Sequence, residues 1–222
     1  MDPVALNDTP RGRGRPRVAR EHIIETALEI LDEGGAEALT LRSLATRLSS
    51  STATLYRHVA NRNELIGMIL DHVLGEVELP DSISAELSWE DACRSIATSS
   101  YRALSARRDA ARLLTEAILT GPNVMRIRES MLAALLREGF DPVTAAKAAA
   151  AISHFALGFA LQTATTAAEA DAGRTQLSEL LHSDGGRRFP ATAAVAEHLP
   201  RPLDEEFAFG LDLILRGLEK SR

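Results

Sequence analysis

The chain has 222 residues, 45% hydrophobic, 25% charged and 4% aromatic, with 14 Gly and 9 Pro. That composition excludes a disordered polymer and a fibrous or low-complexity chain, and the length suits one good core better than two. The net charge of −6 speaks against a nucleic-acid partner only on average, because residues 11–20 carry Arg11, Arg13, Arg15, Arg17 and Arg20 with no acid. The first 62 residues hold 9 basic and 8 acidic side chains, against 16 and 23 in the remainder. A local cation on an acidic protein is how a DNA-binding end would look.

In chain order, every strong periodicity is helical. After the Gly/Pro/Arg arm, Ile23, Ile24, Ala27, Leu28 and Leu31 recur at spacings of three and four, and Gly34-Gly35 supplies a stop. Thr40 is a good N-cap for a short helix that turns Leu41, Leu44, Ala45 and Leu48 inward. Three serines, Ser49 to Ser51, interrupt the period before a second short helix over 52–59. Asn61 with Glu64 reads as a capping pair that opens a fourth helix.

Residues 80–88 look like a connection between layers. Beyond them the spacing predicts helices over 89–106, 110–119 and 124–137. Asp141-Pro142 starts another, expected to run to about residue 168. Residues 169–202 read as a long loop with room for one helix near 176–181, and a final helix carries Phe207, Leu211, Ile214, Leu215 and Leu218. Lys147, His154 and Gln162 interrupt the Ala-rich stretch, so no uninterrupted apolar run approaches the roughly 18 residues of a membrane span. The N-terminus has no signal-peptide core. The single Cys93 cannot form an internal disulfide, so the expected compartment is the reducing cytoplasm.

Residues 39–59 carry the function. A short helix, a turn of three or four residues and another short helix, with a helix before them to pack on, is helix-turn-helix spacing. In the second short helix Leu55 and Val59 point inward. At 100° per residue the opposite face is centred on Ala53 and Arg57, flanked by Thr54 and Tyr56, with Thr52 at its tip and no acid among them. Such a face fits a major groove, where Arg57 could reach guanine N7 and O6 and Thr54 a base edge. His58 and Arg42 belong to the same candidate interface. Thr40 and Arg62 stand at helix N-termini, where phosphate is favoured. For the arm, with Arg15 and Arg17, two readings stand: a flexible cation on the duplex, or a solubilising tail.

The stretch LTLRSLATRLSSSTATLYRHVANRNEL resembles the DNA-binding domain of TetR-family transcriptional repressors. SWEDACRSIA, RRDAA, REGF, HFALGFAL and FAFGLDLILRGLEK, between residues 88 and 220, resemble the ligand-binding domain of the tetracycline repressor branch. One departure is Ser49, where the family commonly has glycine. The resemblance implies an all-α fold: a basic arm over 1–18, a three-helix helix-turn-helix domain over 19–66, and a helical ligand-binding and dimerisation domain over 67–222. It also implies a homodimer on a palindromic double-stranded operator, released by a small-molecule inducer, with the helix from Asn61 as the lever.

Where that branch places magnesium and drug ligands, this chain has Leu114, Ala117 and Gln162, with Ile96, Ser100 and Ser130 at the other drug contacts. None of the first three replaces a metal-linked oxygen or nitrogen well. The implied inducer is therefore more apolar and bound without metal or cofactor, in a cavity lined by those six residues. Ala146, Ala149, Ala150, Ser153 and Gly158, with the stripe of the last helix, suit an intermolecular four-helix bundle or burial within one subunit.

The histidines and serines form no catalytic motif: there is no Gly-x-Ser-x-Gly, no His-Glu-x-x-His and no phosphate loop. His154 is expected as a core histidine, and Cys93 as an apolar filler or a thiol sensor. A small-molecule enzyme and a constitutive architectural DNA binder stand as the alternatives.

Overall fold

The computed structural model describes residues 19–80, 87–116, 118–163, 167–180, 186–199 and 201–220, and these carry helices and no strand. Helix α1 (Arg20–Ala38) buries Ile23, Ile24, Ala27, Leu28, Ile30 and Leu31. It is broken at Gly35, whose φ of 70° lies in the left-handed region that glycine enters without steric cost. Helix α2 (Leu41–Arg47) begins with a reciprocal cap: Ser43 N–H donates to Thr40 Oγ1, and Thr40 N–H donates to Ser43 Oγ, each over 3.0 Å. Ser49, in the turn, takes a φ of 48°, which explains why glycine is the easier residue there.

Helix α3 is shorter than its spacing suggested, Thr52–Leu55. From Tyr56 the chain continues as a tighter turn, with Arg57 N–H bonded to Thr54 O and His58 N–H to Leu55 O. Helix α4 (Arg62–Leu74) starts at Asn61, whose side chain accepts from Glu64 N–H over 2.9 Å. These four helices form the head.

The body consists of α5 (Trp89–Ala106), α6 (Arg108–Arg112) with a 3-10 turn at Leu113–Thr115, α7 (Pro122–Arg137), α8 (Pro142–Thr163), α9 (Ala167–Leu180), the single turns α10 (Gly186–Arg188) and α11 (Pro190–Ala194), and α12 (Leu203–Glu219). The helix expected over 110–119 thus ends at Thr115, and α8 stops at Thr163 instead of near 168. The expected loop over 169–202 instead contains most of α9, because the run of Ala, Glu and Leu outweighs the roughly 1 kcal/mol cost of Gly173. Despite its polar interruptions, α8 is long and apolar enough to cross a membrane by length and composition. Here it packs on α5, α6, α7 and α12 as the central helix of the body.

Head and body share one continuous core, running from Ile23 and Leu44 through Leu65, Ile69 and Val73 to Ile96, Leu113 and Ile152. The boundary expected after residue 66 therefore falls inside α4, which packs on α1, α5 and α7. The tie to α7 is specific. The N-terminus of α7 has no cap from its own chain neighbours; instead, the nearly buried Asp71 of α4 accepts from Asn123 N–H at 2.9 Å and Val124 N–H at 3.0 Å. A carboxylate at that position satisfies free N–H groups and meets the positive end of the helix dipole. Asn123 Nδ2 returns a bond to Asp71 O at 3.0 Å.

That contact dictates Gly121, since a Cβ there would sit 2.1 Å from Asp71 Cγ. Gly121→Ala should cost about 2 kcal/mol by overpacking, lowering the thermal midpoint by roughly 4–8 °C. An unchanged midpoint in calorimetry would contradict the close approach.

Candidate nucleic-acid interface and ligand cavity

The helix-turn-helix stands on buried Leu44, Ala45, Leu55 and Val59. With those residues facing inward, Thr52, Ala53 and Arg57 are exposed, Tyr56 is 56% exposed, and Thr54 and His58 are half-buried. Ser51 caps α3 by accepting from Thr54 N–H at 3.1 Å, which fixes the pitch of this face. Thr40 and Arg42 are exposed beside it. Arg42 and Arg57 have no ion pair among the described residues. Arg47 is engaged in a two-pronged bond to Glu33, at 2.8 and 2.5 Å, which holds the Glu33 carboxyl below its ordinary range. Arg15 and Arg17 lie outside the described residues.

Arg62, expected at phosphate, has partners within the protein. Its guanidinium donates to Leu39 O at 3.3 Å and Ala36 O at 3.2 Å, and ion-pairs with Glu116 of the body. The free carbonyls at the end of α1 draw it inward, a tertiary partner that no local pattern announces. Arg107 makes a second cross-link, within 3.6 Å of Asp32 on α1 and 3.7 Å of Glu76.

Behind α4 lies a cavity of about 540 Å³, the size that takes a drug-sized ligand. Its wall is largely aliphatic: Leu74, Ala97, Leu114, Leu119, Val124, Ile127, Met131, Leu132 and Leu157. Ser100, Ser153, Arg128 and His154 add the polar side chains. Among the residues expected to line it, Ser100 and Leu114 do. The structure places Ile96 in the core, fully buried, and Ser130 off the cavity face of α7, between the lining positions of successive turns. Gln162 is exposed, beyond the part of α8 that meets the cavity, and Ala117 lies outside the described residues.

His154, expected in the core, is instead exposed at the cavity wall, because the buried side of α8 is formed by Ala145, Ala148, Ile152, Ala156 and Ala160. Arg128 was not singled out in the sequence and His154 was read as a core residue, because only the packing of α7 on α8 brings them to one cavity. The described residues contain no group of three His, Cys, Asp or Glu side chains placed to hold a metal.

Residues 23–68 match the family described as bacterial regulatory proteins, tetR family, and residues 84–222 match the tetracyclin repressor-like C-terminal domain. The chain belongs to the TetR family of transcriptional regulators. It is 33% identical over 207 residues to the class C tetracycline repressor of Escherichia coli, covering 93% of each chain. An HTH-type transcriptional regulator of Saccharopolyspora erythraea is also 33% identical, over 148 residues that make up 62% of that protein. Among solved structures, the TetR-family protein ActR of Streptomyces coelicolor superimposes with a TM-score of 0.81 in complex with actinorhodin, at 33% identity, covering 91% of this chain and 97% of that one. Its complex with (S)-DNPA gives a TM-score of 0.82 at 31% identity, covering 94% and 100%.

In this TetR-family chain Cys93 is fully buried, and burial pushes its thiol up to about 12. Since the thiolate is the reactive form, the filler role fits and the sensor role does not. Iodoacetamide at pH 8 should leave Cys93 unmodified in the native protein and label it in denaturant. Rapid native labelling would reopen the sensor reading.

Proposed function

We propose that this protein is a ligand-responsive repressor that binds a palindromic operator as a homodimer and is released by a small, largely apolar inducer. The observation that carries this reading is the acid-free exposed face of Ala53, Tyr56 and Arg57 on the same shared core as an apolar cavity, with α4 between them. A constitutive architectural binder would have no use for that cavity. The ligand complexes of ActR support a small molecule in this type of body. Operator binding also fits a cytoplasmic protein.

The dimer is supported by apolar side chains that one chain leaves uncovered: Phe209 at 69% and Leu213 at 55% on α12, and Val143 and Leu161 on α8. With Gly158 exposed between them, these faces suit a bundle of two helices from each copy. Ala146, Ala149, Ala150 and Ser153 line the cavity, so the small-residue stripe divides: these four serve the body, and Gly158 serves the partner face.

Arg57 reads bases, Thr54 and Tyr56 flank it, and Thr40 and Arg42 position the backbone. Arg62 is contested between phosphate and Glu116. Inducer and operator oppose each other by linkage, because each favours a different spacing of the two heads, with α4 as the lever that carries α7 with it; a tenfold loss of operator affinity needs about 1.4 kcal/mol of differential binding.

Footprinting on the DNA flanking its own gene should show a protected inverted repeat. Arg57→Ala should lose about 1–3 kcal/mol of base discrimination while retaining non-specific binding. Leu213→Glu should sediment as a monomer and lose the footprint. A strictly monomeric wild type, or equal affinity for scrambled duplex, would overturn the proposal.

A further inference from the structure

The cavity is apolar almost throughout, and its few polar side chains differ in what they offer a ligand. Ser100 Oγ donates to Ile96 O and Ser153 Oγ to Ala149 O, each at 2.8 Å, so both hydroxyl protons are already used within their own helices. Among the described residues that line the cavity, Arg128 carries the one permanent charge; it stands exposed at the wall, and no carboxylate accompanies it there. Its Nη1 donates to Met125 Sδ at 3.4 Å, a weak acceptor. The preceding arginine on α7 points elsewhere: Arg126 Nη2 donates to Gly75 O and Val77 O, each at 3.3 Å. His154 adds a second group able to donate a hydrogen bond.

A guanidinium held at an aliphatic wall without an acid favours an anionic oxygen, and its planar fork matches a carboxylate or sulfonate in two bonds. A cation would meet only repulsion. We propose that the cavity selects an organic anion, with a bulky hydrocarbon or aromatic body against Leu119, Ile127, Met131 and Leu132 and one acidic group on Arg128. This rests on the reading of the cavity as the inducer site and names the ligand's chemistry.

Two dyes with the same ring system separate charge from shape: 8-anilinonaphthalene-1-sulfonate and the uncharged N-phenyl-1-naphthylamine. In fluorescence titrations of the full chain at moderate salt, the sulfonate should bind at least tenfold tighter than the neutral dye. Arg128→Gln should lower sulfonate affinity about tenfold and leave the neutral dye within twofold. Arg128→Lys should restore part of the loss, and Ala150→Trp, which fills the wall, should abolish both.

Equal binding of the two dyes, or sulfonate affinity indifferent to Arg128→Gln, would overturn the proposal. If neither dye enters, the cavity reading falls and the proposal with it. If the anion is preferred through Arg128 but leaves operator affinity unchanged, the anion proposal stands and the inducer mechanism fails.

Discussion

The carboxylate of Asp71 accepts hydrogen bonds from the first free N–H groups of α7, joining the helix that head and body share to one wall of the cavity. Sliding α7 away from α4 would leave a nearly buried carboxylate and two helix-end amides without partners, each costing on the order of 1–3 kcal/mol. It is cheaper for the two helices to move together. Val124, Ile127, Arg128 and Met131 all line the cavity from α7, so the helix that Asp71 ties to the head is also a wall of the cavity. The ion pairs of Arg62 with Glu116 and of Arg107 with Asp32 brace the same junction from the other side.

The distribution of charge serves that arrangement. The body is acidic on balance, and at the head Arg47 is taken by Glu33 and Arg62 by Glu116, leaving Arg42 and Arg57 on the outward face. Few cations over a small surface favour register over raw attraction. The uncovered Phe209 and Leu213 belong to α12 of the body, so the proposed contacts with DNA and with a second copy use different elements.

The head was legible in the sequence because its signals are local. Thr40, Asn61 and Gly35 each fix a helix end through bonds within a few residues, and buried Leu55 and Val59 set which side of α3 faces out. What escaped depends on partners far along the chain. Arg62 looks like a phosphate ligand until α1 ends beside it, and the pairing of Asp71 with Asn123 spans 52 positions. The cavity was legible as a location and less so as a list. Ser100 and Leu114 face it, but Ile96 does not, and Arg128 and His154 join it only through the rotation of α7 and α8. Helix α9 was legible only in its second half, near 176–181, because the glycines and prolines between residues 169 and 202 were given more weight than the helix formers before Gly173.

The central claim is that head and body form one cooperative unit through α4, and hydrogen exchange at graded urea concentrations, read by mass spectrometry, tests it most directly. The account predicts that peptides from α1, from α4 and from α5 and α8 lose protection with a common midpoint. A head that opens at clearly lower urea than the body, with the α4 peptide dividing between the two, would contradict it.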